Sequence, residues 1–150
     1  MNTSQETIDL SALKINQASI MTFTLLGFVL NFPWLAGFVA LVMIAGTVRP
    51  ELALFKQFYG RVLKPANLVK SNPVVGPSAP HEFAQLLGGL VLAGGFVLLL
   101  TGSSLMGWTL GWIVILLAAV NLFFGFCAGC FVYYQLGKLG VPGFRPRTTE

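Results

Sequence analysis

Two long stretches without a charged side chain limit what this chain can fold into. No Asp, Glu, Lys or Arg occurs in the 34 positions between Lys14 and Arg49, or in the 55 positions between Glu82 and Lys138. Because a helix needs about 20 apolar residues to cross a bilayer, the second stretch has room for two membrane spans. Only 9% of the residues are charged, against about 25% in soluble domains. This excludes an ordinary cytosolic enzyme and a protein that binds nucleic acid through a basic patch.

Turn-forming residues divide these stretches into four predicted spans. Thr101–Ser104 form a short polar turn in the second stretch, and Asn31-Phe32-Pro33 interrupts the first. Proline removes a backbone donor and disfavours a helical conformation at the preceding residue, so the first stretch is predicted to form a tight hairpin. One kinked helix is the alternative, although it would need strong tilt to fit a bilayer. The predicted spans are about 12–31, 33–47, 83–101 and 107–134.

The distribution of Lys and Arg predicts the orientation of these spans. With four spans, all nine Lys and Arg lie on the side shared by the N-terminus, the 49–82 loop and the C-terminus. Loops rich in Lys and Arg stay in the cytoplasm, which predicts a bacterial cytoplasmic (inner) membrane protein with both termini cytoplasmic. Three spans would divide these charges eight to one. The polar N-terminal residues do not follow the pattern of a signal peptide.

The charged loop is predicted to contain an amphipathic helix at about 50–64. Pro50 and Glu51 suit the first turn of a helix, and Pro65 would end it. Apolar side chains recur at helical spacing, with basic side chains elsewhere around the helix, so we expect it to lie on the inner membrane surface. Docking to a partner is the alternative. The loop from 65 to 80 is predicted to be extended because it holds four prolines, Pro65, Pro73, Pro77 and Pro80.

Small residues recur in the last two predicted spans. Such residues let helix backbones approach closely in lipid. We interpret them as helix-packing positions, with oligomerisation through the same surface as the alternative. The packing candidates are Gly88 and Gly95 in the third span, and Gly111, Ala118, Gly125 and Gly129 on one face of the fourth.

Cys127 and Cys130 form a CxxC motif in the last predicted span. Two thiols at this spacing can attack and then resolve a mixed disulfide. A continuous helix would place them nearly opposite the small-residue face and near the helix C-terminus, where the helix dipole disfavours a thiolate. A break at Gly125 would instead place Cys127 at the start of a new helix. Inert packing, redox or sulfur transfer and metal binding all stay open on this pattern.

Other chemistry has little support in the sequence. A metal site needs about four ligands, and His81 is the only histidine. We therefore interpret His81 and Glu82 as a solvated helix start, and we predict no metal site and identify no cofactor. The spans hold no charged group of the kind that proton pumps use, and motifs of hydrolases and NTPases do not occur.

Three segments carry a resemblance to a bacterial membrane family. They are Lys14–Gln17, Pro80–Gly88 and Gly125–Cys130, the last followed by a tyrosine pair. Together they resemble the domain of unknown function DUF4395 over about residues 12–136. Lys14 stands where members often have arginine. The resemblance implies a small multi-span membrane protein, often encoded near thioredoxin-like or rhodanese-like proteins, and this association favours thiol chemistry.

The sequence as a whole predicts an all-α integral membrane protein with four transmembrane helices and one interfacial helix. We expect a thiol-disulfide or sulfane-sulfur relay at the cytoplasmic membrane face. Cys127 would attack and Cys130 would resolve, with a cytosolic thioredoxin-like or rhodanese-like partner. One alternative is a non-catalytic subunit of a larger respiratory or photosynthetic membrane complex. Another is a carrier for a small sulfur compound, which a cavity lined by Asn121 and the cysteines would support.

Overall fold

The computed structural model describes residues 7–52, 54–67, 70, 73–75 and 79–142, and this part of the chain is mostly helical. One short antiparallel ribbon pairs a strand near the N-terminus with a strand in the charged loop. The helices are α1 (Leu10–Val29), α2 (Pro33–Val48), α3 (Leu54–Phe58), α4 (Ala79–Leu100), α5 (Ser104–Phe124) and α6 (Ala128–Lys138), and the strands are β1 (Thr7–Asp9) and β2 (Pro73–Val75).

The long helices have the length and composition of membrane spans. Within the described residues, α1, α4 and α5 are each long and apolar enough to cross a membrane, and α2 is a shorter apolar helix. Large apolar side chains on their outer surfaces are exposed, among them Leu41, Leu105 and Phe124. Such a surface is unfavourable in water and favourable in lipid. The chain is therefore a membrane protein whose apolar helices contact the bilayer.

The chain reverses direction between α1 and α2, as the sequence predicts. Asn31 adopts a positive φ of 46°, and the N–H of Phe32 donates to the carbonyl of Gly27 over 2.8 Å. The indole N–H of Trp108 on α5 donates to the side chain of Asn31 over 3.3 Å. The start of α1 and the end of α2 meet again at Gln85, so the two helices are antiparallel.

Helix α4 lies at the centre of the bundle, where it packs against α2, α5 and α6. Its crossing with α5 is very close, because a Cβ at Gly95 would lie 2.9 Å from the carbonyl oxygen of Gly107. On the side facing α2, a Cβ at Gly88 would lie 3.1 Å from the Met43 side chain. The buried core around these contacts includes Ile20, Val39, Leu92 and Val114.

Two other small residues of α5 pack less tightly. Gly111 is buried, but a Cβ there would meet its nearest neighbour, Trp108, at an ordinary 3.7 Å. Ala118 is buried at 6% exposure. At the crossing of α4 and α5, the backbones approach closely at Gly95 and Gly107, whereas Gly111 and Ala118 fill space on the inner face of α5.

The charged loop differs from its prediction in two ways. Where one helix was expected at 50–64, the chain forms a 3₁₀ turn at Pro50–Leu52, the short α3, and a wider π-helical turn at Tyr59–Leu63. Gly60, a poor helix former, lies in this wider turn. The side chains of Phe55 and Lys56 lie outside the described residues, so the amphipathic pattern is described only in part.

The second difference is the ribbon formed by β1 and β2, because the loop from 65 to 80 is predicted to lack regular structure. Ile8 pairs with Val74 in the antiparallel register. Asp9 then connects this ribbon to two other elements. Its carboxylate accepts from the N–H of Ser11 over 3.0 Å at the start of α1, and from the hydroxyl of Tyr59 over 3.2 Å. Pro77 lies outside the described residues. The charged loop is thus held against the start of α1.

Candidate functional site

The segment predicted as one span at 107–134 is divided at the cysteine motif. Helix α5 ends at Phe124, and Gly125 follows in the left-handed conformation with φ of 67°, its N–H donating to the carbonyl of Asn121 over 3.0 Å. Glycine adopts this conformation without the steric cost of a Cβ. Gly125 therefore ends a helix, and no described atom lies within 4 Å of a Cβ placed there.

Cys127 begins the next helix, α6. Its backbone is extended, and its sulfur accepts a hydrogen bond from the N–H of Cys130 over 3.2 Å. The carbonyl of Cys127 accepts from the N–H of Phe131 over 3.0 Å. The first N–H groups of a helix have no partner within the helix and are usually capped by a side-chain oxygen. Here the sulfur of Cys127 takes the place of that oxygen.

The two cysteines are joined in a disulfide, with their Cα atoms 5.1 Å apart. Both residues are half-buried, and the Phe126 and Phe131 rings beside them are 53% and 52% exposed. The bond therefore lies near the surface of the molecule and is flanked by exposed aromatic rings.

Close packing between α4 and α6 fixes the position of this disulfide. A Cβ at Gly129 would lie 2.6 Å from the Cα of Ala84 and would overlap its side chain. The rings of Phe83 and Tyr133 also meet, with centroids 5.7 Å apart. The small residue at Gly129 thus lets the first turn of α6 rest directly on the first turns of α4.

This contact places His81 beside the disulfide. A nitrogen of its imidazole and the sulfurs of Cys127 and Cys130 all lie within 4.8 Å of one another. His81 is half-buried, and its Nε2 atom is inaccessible. His81 lies at a helix start, as the sequence predicts, but it is half-buried rather than solvated, because α6 packs over the beginning of α4.

A cavity of about 110 Å³ lies on the inner side of the disulfide. Cys127, Gly129 and Ala118 all contribute to its lining. The expectation that the cysteines lie opposite the small-residue face is therefore wrong, because the break at Gly125 turns the motif back toward the bundle. Polar amides also line the cavity, from Asn16, Gln17, Gln85 and Asn121.

Gln85 links three helices at this cavity. Its side-chain oxygen accepts from the amide of Asn16 over 3.3 Å, and its own amide donates to the carbonyl of Met43 over 3.1 Å. Gln85 and Asn16 are both buried. Neither was singled out for chemistry by its residue type, although both lie in the segments that carry the family resemblance. Amide side chains within apolar spans hydrogen-bond across transmembrane helices and help to hold them together.

Comparison with known proteins gives one match. A family model described as a domain of unknown function (DUF4395) matches residues 8–138. Searches of curated proteins and of solved structures found nothing that matches this chain. The matched range runs from the N-terminal strand to the end of α6 and includes the Gln85 contacts, His81 and the disulfide. The chain belongs to the DUF4395 family.

Proposed function

We propose that this protein is a membrane thiol-disulfide relay that uses Cys127 and Cys130. The observation that supports it best is the position of Cys127 at the start of α6, where its sulfur accepts the N–H of Cys130. Helix N-termini carry partial positive charge and stabilise thiolates. The pair therefore has the arrangement that disulfide exchange needs, with one thiolate-stabilising position and a second sulfur three residues away.

The exchange transfers two electrons. In the reduced protein, the Cys127 thiolate attacks a partner disulfide, forms a mixed disulfide and releases one partner thiolate. The Cys130 thiolate then attacks the Cys127 sulfur and releases the second partner thiolate. The products are the Cys127–Cys130 disulfide and a reduced dithiol partner, and the reverse sequence reduces this protein.

A persulfide donor gives the sulfane-sulfur form of the same relay. The Cys127 thiolate attacks the outer sulfur of a partner persulfide, which releases the partner thiolate and leaves a persulfide on Cys127. Attack of the Cys130 thiolate on the Cys127 sulfur then forms the disulfide and releases hydrosulfide. Both forms use the same two sulfurs, and a thioredoxin-like or rhodanese-like protein would supply the partner group.

We further propose that the disulfide faces the cytoplasm in a four-span arrangement. The cysteines lie at the end of the bundle that carries the start of α1 and the charged loop. Basic loops favour the cytoplasmic side of a bacterial inner membrane. Helix α2 has 16 residues and is about 24 Å long at 1.5 Å per residue. It is shorter than a hydrocarbon core of about 30 Å, so it would cross without tilt and with local thinning of the bilayer.

The cavity favours a second candidate, a carrier for a small sulfur compound. Asn121 and Cys127 both line it, and its volume matches a molecule of a few heavy atoms. The accessory-subunit alternative stays a prediction, since the exposed apolar side chains fit lipid and neighbouring subunits equally well.

Trapping of mixed disulfides tests the relay. In Cys130→Ser, the mixed disulfide that Cys127 forms by attacking a partner disulfide is not resolved, so we expect covalent adducts with disulfide-bearing cytosolic proteins on a non-reducing gel. Cys127→Ser should give few adducts, and the double variant should give none. Equal trapping by both single variants would contradict the assigned order, and an absence of adducts from both would contradict the relay.

A further inference from the structure

We propose that the reduced protein binds Zn²⁺ through Cys127, Cys130 and His81, and that disulfide formation releases the ion. This inference rests on the proposed function, because the disulfide must be reducible. Among the residues that the structure describes, these three form the one cluster of His, Cys, Asp or Glu ligands close enough to share an ion. The sequence predicts no metal site, because it offers only His81 beyond the two thiols and His81 lies far from them along the chain.

The distances suit a tetrahedral ion. Zn²⁺ binds sulfur at about 2.3 Å and imidazole nitrogen at about 2.0–2.1 Å, which puts tetrahedral ligand atoms roughly 3.3–3.8 Å apart. The three ligand atoms already lie within 4.8 Å of one another while the disulfide is closed. Reduction lets the sulfurs separate from bonding distance, so small side-chain rotations bring all three to the required separations.

Two elements hold the ligands in place without the ion. His81 lies in the first turn of α4, and the cysteines lie at the start of α6. These helix starts are pressed together where Gly129 meets Ala84. A site formed by two packed helix ends loses little freedom when the ion binds, which favours affinity.

Two thiolates and one imidazole favour Zn²⁺ over Mg²⁺ and Ca²⁺, both by donor type and by charge. Thiolate and imidazole are ligands that Zn²⁺ prefers, whereas Mg²⁺ and Ca²⁺ prefer carboxylate and carbonyl oxygens. Two adjacent thiolates in a half-buried site repel each other and lose solvation. A divalent cation cancels their charge, so the ion stabilises the reduced form.

Three protein ligands leave one tetrahedral position open. Catalytic zinc sites keep such a position for water or substrate, whereas structural sites close it with a fourth protein ligand. Of the three ligand residues, Cys127 borders the cavity, which has the Asn121 amide also in its lining. We assign the open position to this cavity.

Oxidation releases the ion in a balanced step. A partner disulfide accepts two electrons from the two zinc-bound thiolates and becomes two partner thiolates. Cys127 and Cys130 form their disulfide, and Zn²⁺ leaves because the disulfide sulfurs no longer carry charge. The same two sulfurs therefore bind zinc when reduced and form the disulfide when oxidised. Bound zinc shifts the equilibrium toward the reduced form.

Zinc titration of the purified full-length protein tests this proposal. The protein is reduced without oxygen, freed of reductant, and titrated with Zn²⁺ against a chromophoric chelator. We expect one ion per reduced chain and none for the oxidised chain. Co²⁺ in place of Zn²⁺ should give thiolate charge-transfer bands and the visible bands of a tetrahedral site.

His81→Gln removes one ligand and provides the sharpest comparison. We expect its dissociation constant for Zn²⁺ to rise more than about 100-fold, since even partners that only support a ligand are worth about 10- to 100-fold. Glu82→Gln, at the neighbouring position, should leave the affinity unchanged. Equal affinity of His81→Gln and the unsubstituted protein, or the lack of zinc binding by the reduced protein, would overturn the proposal.

Two further measurements keep the outcomes separate. The far-UV circular dichroism and the unfolding midpoint of His81→Gln in detergent micelles should match those of the unsubstituted protein, which shows that the variant folds. Reduction of the Cys127–Cys130 disulfide by a dithiol protein is measured with a chelator present, so that bound zinc does not contribute. Exchange without zinc binding would refute the zinc site alone, and zinc binding without exchange would refute the relay alone.

Discussion

At the scale of single residues, Gly125 decides what the cysteine motif can do. Its left-handed conformation ends α5, and Cys127 can then begin α6. From the sequence, Gly125 belonged to a series of small residues on one helix face. A glycine used for packing and a glycine used for a positive φ look the same in a sequence without other turn signals. The sequence therefore does not decide whether the last span is continuous, and the structure shows that it breaks at Gly125.

Gly125→Ala tests this role. A Cβ in the left-handed conformation costs about 1–2 kcal/mol, so we expect the variant to be less stable by that amount. Gly94→Ala is the matched control, because Gly94 is exposed on α4 and a Cβ there has its nearest contact at 4.0 Å. Equilibrium unfolding in mixed detergent micelles measures both. Equal stability of the two variants would contradict a structural need for glycine at Gly125.

At the scale of elements, the sequence predicts the apolar helices but not which helices pack against each other. Charge-free length and the Asn31-Phe32-Pro33 turn predicted the helices and the first hairpin, because lipid and proline constrain any sequence in the same way. The contact between α4 and α6 has no local signal, since it joins Ala84 to Gly129 across the chain. For the same reason, the placement of His81 beside the cysteines was not predicted.

Gly129→Leu tests whether this contact aligns the site. A side chain there overlaps Ala84, so α6 must move away from α4. We expect zinc affinity to fall about as far as in His81→Gln, while the disulfide still closes, because both cysteines belong to the same turn. Gly94→Leu, which faces outward, should keep both properties. Zinc binding by Gly129→Leu at the unsubstituted affinity would show that the α4–α6 contact does not position His81.

At the scale of the whole molecule, the two ends of the bundle differ in chemistry. One end carries aromatic contacts, with the Phe28 ring 5.3 Å from Trp108 and 5.5 Å from Trp112. The other end carries the ribbon, the charged loop, His81 and the disulfide. Aromatic rings suit a membrane interface, and basic loops suit the cytoplasmic side. The disulfide and the charged loop thus lie at the same end of the bundle, which is the end that the proposed relay requires to face the cytoplasm.

Single cysteines in a Cys127→Ser, Cys130→Ser background test this orientation and the number of spans. Ser103→Cys lies in the exposed turn between α4 and α5, and Lys64→Cys lies in the exposed charged loop. A membrane-impermeant maleimide should label Ser103→Cys in intact cells, and Lys64→Cys only after the membrane is opened. A third variant, Leu10→Cys at the exposed start of α1, separates four spans from three, because a three-span arrangement with a cytoplasmic loop would place the N-terminus outside. Labelling of Lys64→Cys in intact cells would refute the cytoplasmic position of the loop. Labelling of Leu10→Cys in intact cells would refute the four-span arrangement, in which α2 crosses with only 16 residues.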